Sequence, residues 1–206
     1  VQEFECFGAV TNGTPPMGHD AAYYHTGKTE GAAFFTTFPF GFTAAEMDAW
    51  MKFGNGQKLW DELYAPFGIR AFHAGSTGTQ MFGWFRKEIR SLADLQGLKF
   101  RAPGNQGRVL QKLGVTPVTL PGGEIFPALQ SGAIDGAEWI GPYNDLALGF
   151  YQVCRYYYSP GYHEPGPCLQ LMINEQAWRS LTPELQAIVR TAADAATRDM
   201  LAEDNA

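Results

Sequence analysis

Ser91-Leu-Ala-Asp-Leu-Gln-Gly-Leu-Lys-Phe-Arg101-Ala-Pro-Gly104, with Leu113-Gly-Val-Thr-Pro-Val118 and Gly123-Glu-Ile-Phe-Pro-Ala-Leu-Gln-Ser-Gly-Ala-Ile-Asp-Gly-Ala-Glu-Trp139 behind it, decides how this chain is read. Ser91 and Asp94 mark a short capped turn, and Lys99 to Ala102 reads as a strand. Asn105 is expected to cap a helix ending at Leu113–Gly114, where glycine suits the left-handed position beyond a helix end. Val115 to Leu120 reads as a strand. Pro121-Gly122-Gly123 then leads into a helix through Ile125, Leu129 and Gln130, with Pro127 tolerated near the first turn. Ala133 to Trp139 reads as the next strand. Strands alternating with helices make an α/β pattern with a largely open sheet, and in such sheets ligands gather at strand ends.

The same reading extends outward. Thr43 and Glu46 form a capping box ahead of Met47, Trp50 and Met51, whose spacing predicts a helix ending near Gly54. A second helix runs through Leu59, Trp60, Leu63 and Tyr64 until Pro66 and Gly68 stop it. Ile69 to His73 reads as a strand, and Gly78 to Phe85, which carries Gln80, as strand-like. At the far end Thr182 caps a long helix with Pro183 in its first position. Leu185, Ile188, Val189, Ala192 and Ala196 are expected to form its packing face.

Composition bounds the function. The chain has 206 residues, 45% hydrophobic and only 17% charged, which suits a globular core and excludes disorder. No apolar run approaches the roughly 18 residues of a spanning helix. Fifteen basic residues against 21 acidic ones, with no basic cluster, argue against a nucleic-acid partner. Cys6, Cys154 and Cys168 form no CxxC pair and do not fix a redox compartment. The chain opens at Val1 with no signal segment and reads as a fragment.

The usual enzyme signatures are missing: no GxSxG, HExxH, P-loop or GxGxxG follows a strand. His19, His25, His73 and His163 are scattered with no i, i+4 pair, so structural or surface roles are expected for them.

Four polar residues have two readings each. Arg101 closes a strand before Ala-Pro-Gly, and its planar fork can hold a carboxylate by two parallel hydrogen bonds. Otherwise it is a surface arginine in a weak salt bridge. Glu138 is an exposed strand end or a metal ligand. Glu164 lies in a Pro-Gly-rich loop as a solvated turn residue or a ligand. Gln80 is a surface amide or a ligand. Asp135 reads as a structural turn carboxylate.

The quoted stretches resemble the solute-binding proteins of TRAP transporters, the DctP-like family. Trp139-Ile-Gly-Pro-Tyr-Asn-Asp-Leu-Ala-Leu-Gly-Phe150 and Tyr156-Tyr-Tyr-Ser-Pro-Gly-Tyr-His-Glu164-Pro-Gly166 are similar to the branch that binds 2-oxo and 2-hydroxy monocarboxylates such as pyruvate or lactate. The likeness covers nearly the whole chain from Gly18-His19-Asp20-Ala-Ala-Tyr-Tyr24 onward. It implies a periplasmic, two-lobed α/β receptor that closes on its ligand and delivers it to a membrane permease. The fold's opening strand and helix are expected to lie before Val1. Lobe one is expected to hold residues 1–75 and 139–166, and lobe two 76–138 and 167–206. In that branch, residues matching Gln80, Glu138, the Trp139 carbonyl and Glu164 hold a cation that the bound carboxylate also touches. Arg101 is then the carboxylate anchor. Tyr23 or Tyr24 would meet the ligand's second oxygen, with Phe40, Phe42 and Trp139 along its carbon tail.

Charge supports the cation. Two glutamates and a ligand carboxylate bring three negative charges and Arg101 returns one, an excess that is costly in a poorly solvated site. Sodium halves that excess and calcium removes it. The four donors are all oxygens, which suits a hard ion and argues against zinc or copper. The resemblance implies sodium, and the charge balance holds calcium open. No enzymatic chemistry is implied. The alternatives are a dicarboxylate or sugar-acid receptor of the same family and a ligand-sensing domain. A homodimer is left open.

Overall fold

The computed structural model describes residues 3–206. Its helices are α1 (Cys6–Thr11), α2 (Ala44–Phe53), α3 (Gly56–Tyr64), α4 (Gly104–Lys112), α5 (Gly122–Ser131), α6 (Pro142–Leu148), α7 (Glu175–Ser180) and α8 (Pro183–Asp204). Its strands are β1 (Met17–Asp20), β2 (Ile69–His73), β3 (Gly83–Phe85), β4 (Lys99–Arg101), β5 (Thr116–Val118), β6 (Gly136–Ala137), β7 (Tyr156–Tyr158) and β8 (Gln170–Asn174). Among the described residues no helix is long and apolar enough to cross a membrane.

The α/β class holds, but the chain forms two compact units with separate sheets. Unit 1 comprises residues 1–37, 42–78 and 166–206. Its sheet is antiparallel, in the order β1-β8-β2. Phe7, Val10, Phe35, Met47, Trp60 and Met172 pack its main core, and Phe72, Ile173, Trp178 and Ala193 pack a second cluster. The capping box before α2 forms as read: Thr43 N–H donates to Glu46 at 2.9 Å, and the Thr43 side chain accepts from Glu46 N–H. Gly68, at φ 64°, ends the turn that follows α3 in the left-handed region that glycine favours.

Unit 2 comprises residues 38–41 and 79–165. Its five-stranded sheet has the order β5-β4-β6-β3-β7. β4 runs parallel to β5 and β6, while β3 runs antiparallel to β6 and β7. Phe85, Phe100 and Leu110 pack one cluster, and Ile125, Leu129, Ile134 and Phe150 another. The Asp135 carboxylate accepts from Lys99 N–H at 2.9 Å, tying the turn before β6 to the start of β4.

Five expectations need correction. The crossings fall elsewhere than expected, because pairing overrides the sequence boundaries. β7 adds to β3 and keeps residues 139–165 in unit 2, while β8 inserts between β1 and β2 and draws residues 166–206 into unit 1. Asn105 is not a cap: α4 starts at Gly104 with Pro103 at the N-cap, so Asn105 is already inside the helix. The strand expected from Ala133 to Trp139 shortens to Gly136–Ala137, and Pro127 sits inside α5 rather than in its first turn. On α8, Leu185 and Ile188 are exposed at 46% and 62% and Ala192 and Ala196 are exposed as well; of the expected face Val189 alone packs inward, together with Ala193 and Thr197.

Candidate ligand and cation site

Five of the sequence-predicted residues, Gln80, Arg101, Glu138, Trp139 and Glu164, lie in unit 2. Arg101 is the last residue of β4, and its register partner Ala137 ends β6. The two parallel strands therefore stop together, and Glu138 N–H donates to the Arg101 carbonyl at 3.2 Å just beyond. This is the strand-end position at which α/β sheets bind ligands.

The surface readings of these residues fail. Arg101 is 1% exposed and Glu138 0%. Among the described residues Arg101 is the one buried lysine or arginine. Its Nη1 donates to the Glu138 carbonyl at 3.0 Å and also to Glu138 Oε1, and its Nε donates to the Leu120 carbonyl at 3.1 Å. The guanidinium carbon stands 5.1 Å from the centre of the Trp139 ring, a cation–π placement. Trp139 in turn lies over the start of α5. A Cβ at Gly122 would come within 3.0 Å of its ring, so the glycine is what admits the indole.

Glu164 and Gln80 reach the same region through backbone pairing. Gln80 N–H donates to the Glu164 carbonyl at 3.0 Å, and Gly161 N–H donates to the Gln80 carbonyl at 2.9 Å. A Cβ at Gly161 would stand 2.9 Å from backbone carbons of Gln80 and Met81, so only glycine lets the loop approach this closely. Gln80 and Glu164 are both buried.

The structure adds a residue that sequence reasoning set aside. His163, 1% exposed, joins Glu138 and Glu164 in a group whose ligand atoms all lie within 4.8 Å of one another. Its Nε2 is 3.6 Å from Glu138 Oε2, beyond hydrogen-bond range. Neither ring nitrogen of His163, nor Glu138 Oε2, has a hydrogen-bond partner. Buried polar atoms are nearly always paired, so these atoms carry donor and acceptor capacity that the protein leaves unused. The available signal was its place beside Glu164 in the Gly161–Pro165 loop. Loop ligands need no helical spacing, which is why the search for i, i+4 pairs missed it.

With a neutral imidazole, Arg101, Glu138 and Glu164 sum to one negative charge. Buried oxygens converging under a net negative charge fit a hard cation.

The aromatic candidates separate. Phe40 belongs to unit 2, where its N–H donates to the Tyr162 carbonyl at 2.8 Å and its ring stacks on Tyr162 at 5.1 Å. Phe42 belongs to unit 1, with its ring 6.0 Å from Trp50. Tyr23 and Tyr24 also belong to unit 1, where their rings meet edge to face at 4.9 Å and Tyr23 N–H donates to Thr36 Oγ1.

Residues 1–206 match the family described as bacterial extracellular solute-binding protein, family 7, DctP. The chain belongs to that family. A curated relative from Nostoc, the monocarboxylate 2-oxoacid-binding periplasmic protein, is 47% identical over 201 residues, covering 98% of this chain and 55% of its own length. A TRAP periplasmic solute-binding protein from Pseudoalteromonas atlantica, solved with sodium and pyruvate, is 46% identical with a TM-score of 0.94. The match covers 98% of this chain and 61% of that one. The Colwellia psychrerythraea protein, solved with calcium and pyruvate, is 47% identical with a TM-score of 0.93, covering 97% and 61%. The chain thus spans a little over half the length of the relatives it matches, and its mixed α/β fold is that of TRAP solute-binding proteins.

Proposed function

We propose that this protein is the extracytoplasmic receptor of a TRAP transporter, which binds a small 2-oxo or 2-hydroxy monocarboxylate with a sodium or calcium ion in the periplasm. It would pass the acid to the membrane permease without covalent chemistry. The observation that carries this reading is the buried Arg101–Glu138–Glu164 constellation at the ends of two parallel strands, in a chain nearly half identical to pyruvate-bound relatives. Gln80, Glu138, the Trp139 carbonyl and Glu164 are the proposed cation ligands, and Arg101 the proposed partner of the acid's carboxylate. The cation would supply positive charge to ligand oxygens. Arg101 would hold Glu138 in place while presenting a guanidinium whose stacking on Trp139 fixes its plane.

Positive charge also sets the ligand class. Among the described residues no second lysine or arginine is buried, so a second ligand carboxylate would be desolvated without a partner, at a cost of several kcal/mol. Pyruvate or lactate should therefore bind the full-length protein far more tightly than succinate or malate. A competition titration checks this. A C4 dicarboxylate that displaced every monoacid at lower concentration would replace this reading with a dicarboxylate receptor.

A further inference from the structure

We propose that His163 makes the cation pocket a mixed nitrogen–oxygen site that also takes a borderline transition ion such as Zn²⁺, with Glu138 and Glu164 as its carboxylate ligands. The inference rests on the reading of those two glutamates as cation ligands and adds a donor that an all-oxygen sodium or calcium site does not need.

The geometry of one pair carries it. His163 Nε2 and Glu138 Oε2 are 3.6 Å apart. That is too long for a hydrogen bond, yet two ligands held about 2.0–2.2 Å from one ion at a tetrahedral angle are themselves separated by about 3.3–3.6 Å. Glu164 offers an oxygen within 4.8 Å of both. All three residues are within unit 2, so the arrangement depends on no other part of the chain.

The imidazole's surroundings point the same way. His163 is packed among rings, with Phe82 at 6.3 Å and Tyr162 at 5.8 Å, both edge to face. Neither of its nitrogens has a hydrogen-bond partner, although it is 1% exposed. A buried imidazole ordinarily fixes its tautomer by a hydrogen bond from one nitrogen, or coordinates a metal through it. Here the nitrogen nearest a partner faces a carboxylate oxygen that also lacks a hydrogen bond. Imidazole with two carboxylates is a familiar zinc donor set, and divalent transition ions favour nitrogen donors more than hard ions such as calcium do. Zinc would then compete with the hard cation for Glu138 and Glu164 and act as an antagonist of cation-dependent acid binding.

The test uses metal-stripped full-length protein titrated calorimetrically with Zn²⁺ and with Ca²⁺, as wild type, His163→Gln and Glu164→Gln. His163→Gln exchanges the nitrogen donor for an oxygen, so the ratio of Zn²⁺ to Ca²⁺ affinity should fall at least about tenfold. Glu164→Gln should weaken both ions. A ratio unchanged in His163→Gln, with Ca²⁺ still bound, overturns the role of His163 alone. Wild-type protein that bound neither ion would overturn the underlying cation reading as well. Should the histidine variant fail to fold, the electron paramagnetic resonance of Cu²⁺-loaded wild-type protein decides. Hyperfine coupling to an imidazole nitrogen supports a nitrogen-containing site, and its absence overturns it.

Discussion

Each unit buries a carboxylate beside a histidine, and the two pairs are finished differently. In unit 1, Asp20 Oδ2 meets His25 Nε2 at 2.7 Å, and Asp20 Oδ1 accepts from Gln170 Nε2 at 2.6 Å. Gln170 Oε1 accepts in turn from the Tyr64 hydroxyl at 3.1 Å. In unit 2, Glu138 Oε2 and His163 Nε2 stay 3.6 Å apart, and both atoms lack hydrogen-bond partners. A closed chain of short hydrogen bonds has what it needs from the protein and acts as structure. An open one, set at two strand ends and a glycine-dependent loop, leaves buried polar atoms that its own side chains do not pair. Residue type does not distinguish these clusters, whereas hydrogen-bond completion does.

The comparison can be broken first at Arg101. Replacing it with lysine keeps the charge but loses the donor to Leu120 and the flat face on Trp139. Arg101→Lys should weaken acid binding by about 1.5–3 kcal/mol in calorimetry, the range for a hydrogen bond to a charged group. Wild-type affinity in that variant would remove Arg101 from the site.

Tyr64→Phe probes the closed cluster. It deletes the hydroxyl that donates to Gln170 and should lower unfolding stability by about 0.5–1.5 kcal/mol in denaturant titration, with acid affinity unchanged. A loss of acid affinity comparable with that of Arg101→Lys would show that the unit 1 cluster is not merely structural.

A finer test lies within unit 2 itself. Asp145 is buried but complete, accepting from Trp84 Nε1 at 2.9 Å, the Tyr157 hydroxyl at 2.8 Å and Ile140 N–H at 3.1 Å. Burial holds its carboxyl above the usual carboxylate value, so the folded state keeps the proton to higher pH than the unfolded chain does. The stability from this group is fully present below the ordinary value and is lost as pH rises through the raised one. Asp145→Asn should flatten that part of the stability–pH curve, a small change read from denaturation at a series of acidic pH values. An unaltered curve would mean that Asp145 does not titrate differently on folding.

Much of this was legible in the sequence where local chemistry decides. Thr43 and Glu46 cap α2 because the box is satisfied within four residues, and Gly68 stops the turn after α3 because only its own backbone is involved. Arg101, Glu138, Gln80 and Glu164 could be nominated from motifs, but their burial comes from pairings between distant segments. The unit boundaries failed for the same reason: β7 and β8 are separated by few residues yet join different sheets. On α8, the expected Ile188, Ala192 and Ala196 lie one residue before the inward Val189, Ala193 and Thr197, and Val189 alone belongs to both stripes. Small residues on both stripes give the periodicity too little contrast to choose between them.

The most direct test of the open cluster is whether acid binding needs its cation. Full-length protein freed of metal ions would be titrated with pyruvate in a sodium-free buffer, then with Na⁺ or Ca²⁺ restored, alongside the Glu138→Gln variant. The account predicts that one of the two ions raises pyruvate affinity at least about tenfold in the wild type, equivalent to a coupling of about 1.4 kcal/mol, and that Glu138→Gln abolishes the gain. Equal pyruvate affinity with and without both ions would contradict it.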